Sequence, residues 1–171
     1  MIDFMVLAAP RSGTTWAANW LTTEHTICLH DPLYIRAPED LDAIHSDRPL
    51  GIACTGLVYF PEWVNRHPAR KVILRREPAA VNGSLKSIGV SPCETLVFEN
   101  LQKIEGRHVP YTDLFTNPKE LYEFLTQRPF DAARHQCLRD MHIQPYFDSI
   151  EHNPEVTRKL RARIETTLKG D

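Results

Sequence analysis

Residues 2–16 read Ile2-Asp3-Phe4-Met5-Val6-Leu7-Ala8-Ala9-Pro10-Arg11-Ser12-Gly13-Thr14-Thr15-Trp16, and this stretch decides the fold. The segment from Ile2 to Ala8 is apolar apart from Asp3, a compact run that predicts a buried strand. Pro10 ends the run, and Thr14 to about Thr22 reads as a helix with Trp16, Trp20 and Leu21 on one side. Between strand and helix, Ser12, Gly13, Thr14 and Thr15 are small, so their backbone N–H groups can converge on one anion at a helix start. Gly13 supplies backbone conformations that a side chain would forbid. The hydroxyls add donors, Arg11 adds a charged fork, and Trp16 is expected to offer an aromatic face just beyond the anion. The alternative is a polar turn with a helix cap, which the strand–turn–helix setting makes the weaker reading.

Working outward, short strands are predicted at 26–30, 50–55 and 71–75. Helix starts are expected where Ser91-Pro92-Cys93-Glu94 sets an N-cap, a proline and a capping-box acid in order, and again at Asn117-Pro118-Lys119-Glu120. Asn153-Pro154-Glu155 would open a last helix that Gly170 closes. Over 154–169 it carries Val156, Leu160, Ile164 and Leu168 on one side and Arg158, Lys159, Arg161 and Arg163 elsewhere, the pattern of a packed helix with a solvated basic face. Nearly all-apolar strands alternating with helices argue for a parallel α/β sheet covered on both faces, with ligands at the carboxyl ends of the strands.

Length and composition narrow the classes further. A chain of 171 residues is read as a single domain spanning 1–171. Its net charge of -2 gives no overall field for nucleic acid or an anionic membrane, so neither is expected as a partner. Four cysteines (Cys28, Cys54, Cys93, Cys137) form no CxxC, and two of them lie in apolar runs, as buried free thiols do. The run Phe4–Ala9 is too short for a signal segment or a spanning helix, and the protein is expected to be cytoplasmic. His135 and His142 stand seven apart with no HExxH and no cysteine partners, so no metal is expected.

A second motif strengthens the first. Lys71-Val72-Ile73-Leu74-Arg75-Arg76-Glu77-Pro78-Ala79-Ala80-Val81-Asn82-Gly83-Ser84 is a buried strand ending in two arginines, followed by a proline-started helix carrying a serine. A phosphate bound here would take a bidentate cation and a hydroxyl from separate elements. Strand alternation sends Arg75 and Arg76 to opposite sides; Arg76 is the favoured ligand and Arg75 the competitor.

Together these motifs resemble the PAPS-dependent sulfotransferases (PAPS, 3′-phosphoadenosine 5′-phosphosulfate). Pro10 to Trp16 is similar to that family's P-[KR]-S-G-T-T-W loop, and the Arg76-to-Ser84 interval of eight is similar to its R-[ND]-P-x-x-[VA]-x-x-S site. His108-Val109-Pro110-Tyr111-Thr112-Asp113-Leu114, with Asn117-Pro118 beyond, looks like a third family stretch. The resemblance spans residues 2–131 and implies a three-layer α/β/α, P-loop-like domain with four or five parallel strands. It further implies that Arg11 stabilises the bridging oxygen and that Ser12, Gly13, Thr14 and Thr15 bind the 5′-phosphate. Trp16 and Tyr111 would lie against adenine, and Arg76 and Ser84 would bind the 3′-phosphate.

The resemblance is incomplete. Where the small-molecule enzymes carry Lys-Thr-His, this chain reads Ala53-Cys54-Thr55-Gly56, and the closing G-x-x-G-D-W-K is missing. The substitute for the base is His30-Asp31 at the end of the second strand, one taking the acceptor's proton and the other orienting it, with Glu39 a weaker candidate. The expected activity is sulfuryl transfer from PAPS, leaving PAP (3′,5′-ADP), to a hydroxyl or amine of a small-molecule or carbohydrate acceptor. A homo-oligomer could complete the small acceptor pocket. The competing readings are a domain that holds a nucleotide or anion without turnover and, less well supported because GxxxxGK[ST] and its lysine are missing, a P-loop kinase or NTPase.

Overall fold

The computed structural model describes residues 1–35 and 37–141 of the chain. The helix read over 154–169, its Asn153 and Gly170 boundaries, and His142 lie outside these residues. Five strands, β1 (Ile2–Ala8), β2 (Ile27–His30), β3 (Leu50–Cys54), β4 (Arg70–Arg75) and β5 (Arg107–Pro110), form one all-parallel sheet in the order β2-β3-β1-β4-β5. Among the described residues seven α-helices connect or follow them: α1 (Thr14–Leu21), α2 (Pro61–Arg66), α3 (Pro78–Lys86), α4 (Thr95–Lys103), α5 (Asp113–Thr116), α6 (Pro118–Thr126) and α7 (Ala132–Asp140).

The apolar run of β1 makes it the central strand, paired with β3 on one side and β4 on the other. Its one acid, Asp3, does not break the sheet, because Oδ2 accepts the Leu50 N–H at 2.9 Å where the β1–β3 register shifts. Alternation then sorts the side chains into two cores. Met5 and Leu7, with Ile52 and Ile73, pack against Trp63 and Val64 of α2, Val81 and Leu85 of α3, and Val97 and Leu101 of α4. Phe4, Val6 and Ala8 bury on the other face, where α1 and α6 meet β1. The result is the expected α/β/α layering. Gly51 is required in β3, since a Cβ there would stand 1.9 Å from the ring of Phe4.

One local expectation is corrected and one strand is added. The helix read from Ser91-Pro92 begins only at Thr95, with Glu94 as its N-cap. Residues 91–94 are held outside the helix because the Cys93 N–H donates to Asn82 Oδ1 at 2.8 Å. Strand β5 was not legible as a strand, since Val109 is its one buried residue and Pro110 ends it; its place comes from pairing with Val72–Arg75. By contrast, α6 starts at Pro118 with Asn117 before it, as its sequence predicts. Among the described residues no helix is long and apolar enough to cross a membrane.

Candidate functional site

The chain leaves β1 for β2 and β3 on one side, then passes back to β4 and β5 on the other. Strand order therefore reverses at β1, the kind of switch point beyond whose strand ends ligands bind in open α/β sheets. Residues 9–13 and Arg76-Glu77 follow the ends of β1 and β4 at this point. In the first loop Arg11 (φ 62) and Gly13 (φ 91) are both left-handed. Alternation of handedness of this kind turns successive N–H groups to one side, the geometry of an anion nest. Helix α1 follows with Gly13 as its N-cap and no side-chain cap, so its first-turn N–H groups keep their donors. Glycine is needed on two counts, the positive φ and the methyl of Leu114, which a Cβ would meet at 2.8 Å.

The two motifs that the sequence separates by 73 positions touch. Arg11 donates from Nε to Ser84 Oγ at 3.2 Å, and Arg76 donates from Nη1 to the carbonyl oxygen of Arg11. The Arg76 guanidinium also lies 4.8 Å from the centre of the Tyr111 ring, a cation–π contact. Its Nε is buried with no partner, and among the described residues no carboxylate lies within salt-bridge reach of Arg11, Arg75 or Arg76. Buried donors are nearly always satisfied, so an orphaned guanidinium N–H beside uncapped helix amides fits a phosphate or sulfate oxygen. Arg75 departs from this group: it is exposed and donates from Nη1 to His108 Nδ1 at 3.1 Å.

His30 reaches the same loop from the side of β2. Its Nε2 lies 3.1 Å from the Thr15 hydroxyl, 3.3 Å from that of Thr14 and 3.2 Å from Asp31 Oδ2. Asp31 is left-handed (φ 42), which aspartate tolerates better than most residues. Its Oδ1 accepts the Thr55 N–H at 2.6 Å and the Thr55 hydroxyl at 3.1 Å, while its own N–H donates to the Ala53 carbonyl at 3.0 Å. Sequence reasoning had counted the Ala53–Gly56 stretch only for the base it lacks. Its contribution is Thr55, which fixes Asp31; a hydroxyl residue just past the end of a strand beside β2 was the available signal. Burial, helped by the charge of Asp31, pushes the neighbouring Cys54 thiol up to about 12.

Other expected site residues sit differently. Trp16 is 8% exposed, and its ring packs against Trp20 (5.3 Å), Phe115 (4.9 Å) and His135 (5.3 Å). The open aromatic face expected of it is therefore covered, because α1 buries this side of its surface against the segment that follows β5. Ser12 and Thr14 are buried as well, with the Ser12 hydroxyl turned to the Pro10 carbonyl at 3.5 Å, so their main-chain amides rather than their hydroxyls suit an anion. Tyr111 is half-buried under Arg76 and donates its N–H to the Arg75 carbonyl at 2.9 Å. Glu39 is exposed on a 3₁₀ turn (Pro38–Ala43), with no hydrogen bond to the loop. Among the described residues no three His, Cys, Asp or Glu side chains gather as a metal ligand set. Neither a family model nor a curated protein matches the chain.

Proposed function

We propose that this protein is a sulfotransferase that uses PAPS and acts on a hydroxyl or amine of a small-molecule or carbohydrate acceptor. The observation carrying this reading is the Arg11–Ser84 hydrogen bond, which brings the two motifs into contact. A cofactor with a phosphate at each end of a ribose needs two such donor sets side by side. The α1 amides, Arg11 and Thr15 would hold the 5′ end, and Arg76 with Ser84 the 3′-phosphate. When bound, PAPS supplies an activated sulfuryl group and leaves as PAP. His30 takes the acceptor's proton at Nε2, the nitrogen facing the loop hydroxyls. Asp31, anchored by Thr55, lies 3.2 Å from the same Nε2 and accepts the hydrogen bond of the N–H formed there once the proton has moved.

The burial of Trp16 favours a second reading, a domain that holds a nucleotide or another anion without turnover. Calorimetry with PAP and with ATP, followed by transfer of label from PAPS to an acceptor panel, separates the readings. PAP binding with label transfer supports the enzyme; PAP binding with no transfer across the panel supports the second reading. Silence at about 1 mM PAP, together with binding of ATP, overturns the PAPS reading in favour of a nucleoside triphosphate site.

A further inference from the structure

A cleft of about 540 Å³ opens at the carboxyl ends of β4 and β5. Its volume falls in the range of small-molecule sites, and its wall is of two kinds. Phe98 and Leu101 of α4 and Val109 of β5 supply an apolar floor. Arg75, Arg76 and His108 supply a polar rim, with Glu77 as the acid among the lining residues. Arg76 lines the cleft as well but is tied through Nη1 to the Arg11 carbonyl, whereas Arg75 makes no hydrogen bond to that loop.

The rim is short of negative charge. No carboxylate lies within salt-bridge reach of Arg75 among the described residues, and its hydrogen-bond partner is a ring nitrogen. His108 holds its Nε2 2.9 Å from the Ile104 carbonyl, which places the ring proton there and leaves Nδ1 as the acceptor for Arg75. The histidine thus orients the guanidinium without neutralising it. A guanidinium has five N–H donors, and one hydrogen bond leaves most of the fork open.

We infer that this cleft binds a small organic monoanion with a flat apolar ring, its carboxylate or sulfate on the Arg75 fork and its ring against Phe98. The inference does not depend on the sulfotransferase reading, since Arg75 stands apart from the loop contacts.

Benzoate is the probe, titrated into the full chain by calorimetry, with acetate (charge, no ring) and benzyl alcohol (ring, no charge) alongside. Benzoate should bind with a Kd of about 1 mM or tighter, and each control at least about tenfold more weakly. Arg75→Gln and Phe98→Leu should each weaken benzoate by about tenfold. PAP binding should survive Arg75→Gln, which keeps failure of this site distinct from failure of the loop site. If Phe98→Leu does not melt cooperatively, Gln102→Glu on the exposed rim replaces it and should weaken benzoate by charge repulsion. No heat with benzoate at about 10 mM, or an affinity indifferent to Arg75→Gln, overturns the inference.

Discussion

Arg76 holds the backbone of Arg11: its Nη1 donates to the Arg11 carbonyl, so the cation at the end of β4 fixes the loop after β1. The side chain would thus act twice, as an anion ligand and as the tie that keeps the nest in shape. Lysine could supply the charge but not two directed donors. Arg76→Ala and Arg76→Lys should therefore both lower PAP affinity by about tenfold to a hundredfold in calorimetry. A lysine variant with native affinity would contradict the tie.

Gly13 carries two constraints at once, a φ of 91° and the Leu114 methyl 2.8 Å from where a Cβ would stand. Gly13→Ala should destabilise the fold by roughly 1–3 kcal/mol in urea denaturation and abolish anion binding. Pairing it with Leu114→Ala should relieve the contact but not the backbone cost, so binding should stay lost.

His30 and Asp31 can be tested as a pair. His30→Gln should lower sulfuryl transfer by about 10²- to 10⁴-fold while PAP affinity changes little. Asp31→Asn should remove part of that rate and shift the pH profile of turnover. If both variants lose PAP binding and turnover in equal measure, the imidazole organises Thr14 and Thr15 rather than moving a proton.

At the other end of the sheet, buried His67 accepts the Ala69 N–H at Nδ1 (3.1 Å) and lies 3.2 Å from Asp42 through Nε2, so the neutral ring fits its site. Burial lowers its pKa from the ordinary 6.5, and Asp42 offsets this only in part. The unfolded chain then binds the proton first as pH falls. Stability from this group should be complete above 6.5 and decline as pH drops from 6.5 toward the folded value. Thermal melts of His67→Gln should lack that component of the slope.

Thiol reactivity should follow burial. Cys137 is exposed, whereas Cys28 and Cys54 are buried and their thiols are pushed up. Alkylation of the native chain at about pH 8 should label Cys137 first, with Cys93 slower because burial and Glu94 raise its pKa. Early labelling of Cys54 would mean that the end of β3 opens.

Much of this architecture could be read from residue type. The apolar runs of β1, β3 and β4 bury on two faces, a local property of the sequence. Strand β5 escaped because partner strands, not its own side chains, make it a strand. The Ser91-Pro92 start failed because a distant amide, that of Asn82, outcompeted a local cap. At the site, the motifs singled out Arg11, Arg76 and Ser84, and the fold brings these three into contact. They carried no information about which aromatic face is covered, and Trp16 turned inward against Phe115 and His135, which lie 99 and 119 positions away in the chain. Thr55 was missed for a related reason: its partner Asp31 is local to it only in space.

The central position of β1 has a consequence for biosynthesis. The loop of residues 10–16 leaves the ribosome before both neighbours of β1 and before the Arg76 and Ser84 that contact it. A nascent chain halted before Ser84 has no complete anion nest, however well its first helix forms. Because its nearest pairing partner in the sequence begins at Leu50, the apolar strand β1 stays unpaired until the chain through Cys54 has emerged, the interval in which chaperone binding would matter most.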